Sequence, residues 1–143
     1  MGSLMEPYIQ EILQGKRCPY CHCGTELVAG DVIYPARAAD YPRPYYLDKK
    51  FYICKMDRNH YVGTYADNVK SFGRLADTEL RELKRQGHSI FDPLWKGKVH
   101  FKNLKEAYIW LSKKMNLPKK RTHFGMFTKE ECRKAIEFCK ELA

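Results

Sequence analysis

No stretch of this chain approaches the roughly 20 consecutive apolar residues of a membrane-spanning helix, and its N-terminus has no apolar secretory core. It has no Gly-rich phosphate loop, no Ser/His/Asp grouping at a recognisable spacing and no paired-carboxylate motif. His88, His100 and His123 stand singly and suit structural or exposed positions better than catalytic ones. These absences point away from a membrane protein, a secreted protein and the common hydrolase and nucleotide-handling classes.

What is present is cysteine in an uneven pattern. Cys18-Pro-Tyr-Cys21 is followed, after a strand-like stretch, by Cys54-Lys-Met-Asp-Arg-Asn-His60. Structural zinc takes four thiolate or imidazole ligands in a tetrahedron, and two hairpins can supply two each. Pro19 presets one backbone angle for a tight knuckle. Asp57-Arg58-Asn59 are turn formers able to carry the longer gap between Cys54 and His60. The candidate ligands are therefore Cys18, Cys21, Cys54 and His60, with Cys23 the alternative for the fourth place. A redox pair Cys18–Cys21 is a further reading, but such a pair opens a helix after a buried strand, and Gly24-Thr25 and a strand-like run follow here.

At 143 residues the chain suits one compact domain, or a small metal domain joined to a small helical one. Residues 1–5 read as a cloning remnant ahead of a native Met5, and 1–15 as a lead-in with a short helix or a loose segment over 6–14. Residues 16–70 read as an antiparallel zinc ribbon. Its expected parts are a hairpin of Glu26–Val28 and Asp31–Tyr34 around Ala29-Gly30, strands at Tyr45–Leu47, Phe51–Ile53 and Tyr61–Tyr65, and a loop from Pro35 to Pro44 carrying Arg37 and Arg43. A core this small needs a staple, and a metal provides it.

Residues 71–143 change period. Leu75, Leu80, Leu83, Ile90 and Phe91 fall at helical spacing behind Asp77 as N-cap. Leu104, Ala107, Tyr108, Leu111 and Met115 do so behind Asn103, with Glu106 three residues on. Cys132, Ala135, Ile136 and Cys139 follow Thr128 and Glu131, a capping-box pair. Three amphipathic helices are expected, packed on each other and on the ribbon. Cys132 and Cys139 share the apolar face of the last helix and read as small buried hydrophobes, which weakens a disulfide framework and favours a reducing, cytoplasmic location. Phe91-Asp-Pro-Leu-Trp95 reads as an aromatic turn anchoring the helices to the ribbon, with Pro93 ending the helix.

The formal charge is +9, and it is lopsided. Residues 1–70 hold nine Lys/Arg against eight Asp/Glu; residues 71–143 hold seventeen against nine. Such a surface attracts polyanions through counterion release. The tightest cluster is Lys113, Lys114, Lys119, Lys120 and Arg121. Lys113 and Lys114 also suit a helix C-terminus, whereas the other three read as a phosphate-contacting loop. Arg81 and Arg85 form a second stripe with Arg74 and His88, interrupted by Glu79 and Glu82, so surface ion pairing accounts for part of it.

Cys18-Pro-Tyr-Cys21, Tyr52-Ile-Cys54, Tyr61-Val-Gly63, Gly73–Arg81, His88 with Phe91-Asp-Pro-Leu-Trp95, Glu106–Leu111, His123-Phe-Gly-Met-Phe127 and Cys132-Arg133 together resemble the zinc-finger-containing domain family of phages, prophages and conjugative elements. The resemblance spans most of residues 16–139. It implies a zinc-binding ribbon with a helical tail and a mobile-element origin, and it brings no established biochemical activity. His60 stands where a cysteine is expected in the family.

The expectation is thus an α+β protein, a small antiparallel zinc-ribbon sheet followed by a three-helix unit, holding one structural zinc. The leading function is a non-enzymatic nucleic-acid-binding accessory protein of a phage or mobile element. The alternative is a protein-interaction or virion-associated module using the basic and aromatic surface. A metal-assisted nuclease is the least favoured class, and no membrane partner is expected.

Overall fold

The computed structural model describes residues 6–33 and 49–142. The expected strand at Tyr45–Leu47 and the loop bearing Arg37 and Arg43 lie outside the described residues. The chain divides after Asp77 into two compact units.

The first unit opens with helix α1 (Glu6–Leu13). It closes at Gly15, whose φ of +76° is left-handed and whose place leaves no room for a side chain, because a Cβ would lie 2.9 Å from Ser71 Cβ. The Thr25 hydroxyl donates to the Gly15 carbonyl at 2.7 Å, tying this turn to the sheet. Three antiparallel strands follow in the order β1 (Thr25–Ala29), β2 (Lys50–Cys54) and β3 (Tyr61–Gly63). The central strand β2 sets Tyr52 opposite Leu27 on one side and Val62 on the other. Bridges Thr64–Ser71 and Tyr61–Ala76 carry pairing beyond β3, which is why the unit runs on to Asp77.

One expectation fails here. The local hairpin of Glu26–Val28 with Asp31–Tyr34 does not form: Gly30–Ile33 is a single helical turn, α2, and β1 pairs with β2 instead. A two-residue hairpin at Ala29-Gly30 would need left-handed backbone there, and Gly30 is not among the glycines with positive φ.

The ribbon's buried cluster is small: Cys18, Tyr52, Cys54, Val62 and Leu75, with Tyr20, Cys21 and Cys23 packed against it. Two of those five are candidate metal ligands. Apart from those two, this cluster of described residues offers three side chains to offset chain entropy.

The second unit is helical: α3 (Thr78–Lys96), α4 (Leu104–Met115), a 3₁₀ turn (Lys119–Arg121) and α5 (Lys129–Leu142). Both predicted caps on α4 and α5 are present. The Asn103 side chain accepts the Glu106 N–H at 2.9 Å while Glu106 accepts the Lys102 N–H at 3.3 Å. Thr128 Oγ1 accepts from Glu131 N at 3.1 Å and Glu131 Oε1 from Thr128 N at 2.9 Å, a complete capping box. Asn116, at φ +57°, closes α4.

Pro93 does not end its helix, contrary to expectation; α3 continues to Lys96. Proline removes one hydrogen bond, but Phe91 and Leu94 on either side are buried, and holding them inward keeps the last turn helical. Phe91 packs on Tyr108 and Phe124, with ring centroids 5.0 and 5.9 Å apart, so the contacts of this motif tie α3 to the rest of the helical unit. Phe124 also meets Phe127 at 5.2 Å. Leu80, Leu111, Ala135, Ile136, Cys132 and Cys139 of the same unit are buried as well. Gly87 lets α3 approach this cluster, because a Cβ there would sit 2.1 Å from a Phe124 ring carbon.

Candidate metal centre

Two short hairpins bring the predicted ligands together. In the first, Arg17 bridges Gly24, Cys18 N donates to the Cys23 carbonyl at 2.9 Å, and His22 N to the Cys18 carbonyl at 2.9 Å. His22 adopts φ +63° to complete the turn. The Cys21 N–H points at Cys18 Sγ, 3.4 Å away. In the second, the β2–β3 ladder is closed by Cys54 N donating to the His60 carbonyl at 2.9 Å. The five-residue gap is therefore the loop of a hairpin whose two base residues are both ligands. Met56 N and Asp57 N each lie 3.3 Å from Cys54 Sγ. Asn59 N donates to Asp57 Oδ1 at 2.9 Å, an Asx turn of the kind the Asp-Arg-Asn sequence suggested.

The donor atoms of Cys18, Cys21, Cys54 and His60 all lie within 4.8 Å of one another. His60 turns Nδ1 inward, 3.5 Å from Cys18 Sγ and 3.7 Å from Cys21 Sγ. Zinc–sulfur bonds of about 2.3 Å and zinc–nitrogen bonds of about 2.0–2.1 Å at a tetrahedral angle give a sulfur–nitrogen edge of about 3.6 Å. The observed separations match that edge, so the residues fit zinc. Cys18 and Cys54 are fully buried, and none of the six cysteines is in a disulfide. The Cys21 thiol is pushed up to about 12, first by desolvation and then by the neighbouring Cys54 and Cys18 thiols. Thiols crowded this way resist ionising together, and a divalent cation among them is what reverses that resistance.

One contributor was not picked out as a site residue from sequence. His60 Nε2 faces Asp57 Oδ2 at 3.5 Å. A carboxylate on the outer nitrogen fixes the proton there and leaves Nδ1 free as a donor, the arrangement common around zinc-bound histidine. Its signal was present, an aspartate three residues before the ligand, but it read only as a turn former. Tyr20 packs on the His60 ring, centroids 4.6 Å apart, and its hydroxyl accepts the Asp77 N–H at 3.3 Å. Cys23 stands beside the four-donor group rather than within it, 3.3 Å from Cys54 Sγ.

The basic residues divide. Lys113 and Lys114 occupy the exposed last turn of α4, and Lys119 and Lys120 are exposed on the 3₁₀ turn. No ion pair engages these four among the described residues. Arg121 is mostly covered and faces Glu131 at 3.7 Å, with its Nε buried and without a hydrogen-bond partner. Arg85 is paired with Glu82, which also holds that carboxyl below its usual range, and Arg81 donates to the Thr78 hydroxyl at 3.2 Å. The structure therefore leaves the four lysines open to solvent and engages the three arginines within the protein.

No described helix is long and apolar enough to cross a membrane. Comparison with curated proteins and with solved structures found no match. A family model described as a zinc-finger-containing domain matches residues 14–142, which covers the ribbon, all four ligands and the three later helices. With the ligand geometry this gives one structural zinc ion, and the chain belongs to the zinc-finger-containing domain family.

Proposed function

We propose that this protein is a zinc-stabilised, non-enzymatic nucleic-acid-binding accessory protein of a phage or mobile element, acting in the cytoplasm of its host cell. The observation that carries this reading is where the charge sits. Residues 96–127 hold nine Lys/Arg and one acidic residue, Glu106. The rest of the chain holds seventeen against sixteen, so nearly all of the net +9 comes from this one segment. On the flanking helices charge is locally matched: Glu79 takes Lys129 and Arg133, Glu130 takes Lys134, and Glu137 takes Lys140. Lys98, Lys102, Lys105, Lys113, Lys114, Lys119 and Lys120 are exposed and have no ion pair among the described residues. A segment of uncompensated lysines suits phosphates, whose counterions it displaces. Four protein donors leave zinc no open position for a water, which supports a structural metal and a non-enzymatic role. The mobile-element setting rests on the motif resemblance.

Gel-shift titrations with duplex and single-stranded DNA and RNA at several salt concentrations test this. Binding that weakens linearly in log–log salt is expected. No binding to any of them at low salt overturns it. The second reading, a protein-interaction or virion-associated module, is favoured by Val99, 82% exposed between Lys98 and Lys102, and by exposed Leu104. It becomes the better account if nucleic acid fails to bind.

A further inference from the structure

A fourth sulfur lies at the metal centre beyond the three that zinc coordination uses. Cys23 Sγ lies 3.3 Å from Cys54 Sγ. Two thiolates on one tetrahedral zinc keep about 3.8 Å between them, from zinc–sulfur bonds of about 2.3 Å. Cys23 is thus closer to Cys54 than a co-ligand would be, and it is outside the group of four mutually close donors. The backbone fixes this approach. Lys55 N donates to the Gly24 carbonyl at 3.4 Å, and Thr25 is the ladder partner of Cys54. Cys54 is therefore itself a paired position, and Cys23 lies two residues before its partner Thr25, next to the bonded Gly24. Cys23 also keeps partial exposure, while Cys54 is fully buried.

We infer that Cys23 and Cys54 form an oxidation site through which a peroxide releases the zinc. In the first step the partly exposed Cys23 sulfur attacks one oxygen of hydrogen peroxide. The O–O bond breaks, the thiol proton and the leaving oxygen depart as water, and Cys23 becomes a sulfenic acid. In the second the adjacent Cys54 thiolate attacks that sulfur. The sulfenic hydroxyl leaves as hydroxide, and a Cys23–Cys54 disulfide forms. Two electrons pass from the sulfurs to peroxide, and the sum is thiolate, thiol and peroxide giving disulfide, water and hydroxide. Cys54 then no longer serves as a donor. Cys18, Cys21 and His60 remain, three donors where structural zinc takes four. A thiol reductant restores the site, so the device is reversible. This inference rests on the zinc site alone and is independent of the nucleic-acid reading.

The test is peroxide titration of the zinc-loaded full chain, following released zinc with a chromogenic chelator and mapping disulfides by peptide mass spectrometry. One zinc released for each Cys23–Cys54 disulfide is expected, with reloading after dithiothreitol. Cys23→Ser and Cys23→Ala should load zinc normally and lose the reversible release, so that any zinc they give up is not recovered by reductant. The inference is overturned if wild type and both variants release zinc at the same rate and with the same recovery. A Cys18–Cys21 disulfide as the released product also overturns it. So does failure of both variants to load zinc while remaining folded in the helical unit, which would make Cys23 a ligand.

Discussion

The two units of this protein use cysteine in opposite ways. In the ribbon, Cys18 and Cys54 are buried in a cluster with Tyr52, Val62 and Leu75, and their sulfurs share a four-donor group with Cys21 and His60. In the helical unit, Cys132 and Cys139 are equally buried, on the inward face of α5 with Ala135 and Ile136. Burial alone pushes the Cys139 thiol up to about 11, whereas at Cys21 neighbouring thiols add to it. The difference lies in what supplies cohesion. Phe91, Phe124 and Phe127 fill the helical core, each contributing roughly 1.5–3 kcal/mol on burial. Among the described residues the ribbon buries no comparable group of rings, and metal bonds supply its cohesion instead.

The sharpest way to break the comparison is to remove the metal. Cys54→Ser, or a strong chelator, should unfold the ribbon and leave helical circular dichroism largely intact. Structural zinc supplies apparent binding free energies on the order of 10–16 kcal/mol at neutral pH, far more than a small cluster can replace. Cys132→Ala should keep its zinc by elemental analysis. The pH dependence has a definite sign. Cys21 is protonated at neutral pH in the metal-free protein, since its thiol is raised to about 12. Loading zinc must displace that proton, so affinity rises with pH and zinc is lost on acidification. Loss of helical signal together with zinc would show that the helical unit also depends on the metal.

The converse perturbation is Gly87→Ala. Alanine normally favours a helix interior by about 1 kcal/mol over glycine. Here its methyl would have to displace the fully buried Phe124 ring. Overpacking of this kind costs typically 1–3 kcal/mol and occasionally more. Thermal unfolding should show the helical transition lowered while zinc stoichiometry stays the same. A stabilised variant would mean that the ring moves aside freely.

A milder change tests the outer support of the ligand histidine. Asp57→Asn removes the carboxylate charge facing His60 Nε2 and should weaken zinc binding by about 10–100-fold. Competition with a chelator of known affinity reads this directly; an unchanged affinity would make Asp57 a turn residue only.

How much of this was legible beforehand follows from the range of each interaction. The four ligands, the Asn103 and Thr128 caps and the buried face of Cys132 and Cys139 were readable because each depends on residues a few positions apart. The pairing of β1 with β2 was not. Leu27 meets Tyr52 across 25 residues of chain, and the local hairpin signal at Ala29-Gly30 pointed elsewhere. Pro93 misled for a related reason: the rule against proline is local, and the burial of Phe91 and Leu94 that overrides it is tertiary. Arg121 looked like its lysine neighbours in sequence, and only folding sets it against Glu131.

Cys139 offers a finer contrast with the ribbon thiols. Its folded value is raised from 9.0 to about 11 by burial. A raised thiol contributes stability that is fully present below about pH 9 and is lost as pH climbs towards 11. The ceiling for two units is about 2–3 kcal/mol. Helical-unit stability measured against pH should therefore fall less steeply from 9 to 11 in Cys139→Ala than in wild type. Identical slopes would show that the buried thiol does not couple to folding.

The smallest expected effect on stability is none, and it isolates the surface from both cores. Lys119 and Lys120 are exposed on the 3₁₀ turn and lie outside the last turn of α4, so neither helix-end electrostatics nor packing depends on them. Arg121 is left in place because it faces Glu131, part of the α5 capping box. Replacing both lysines with glutamine should keep zinc content and unfolding temperature at wild-type values. If they contact phosphates, binding should weaken by a similar factor on every sequence, because point charges on a turn read backbone rather than base edges. The log–log salt slope on duplex DNA should fall by about 0.9 per contact removed. A sequence-selective loss would assign them to base readout. Unchanged affinity and slope would move the interface to the other exposed lysines, Lys113 and Lys114 at the end of α4 or Lys98, Lys102 and Lys105 around Val99 and its start, where the same substitution can be repeated.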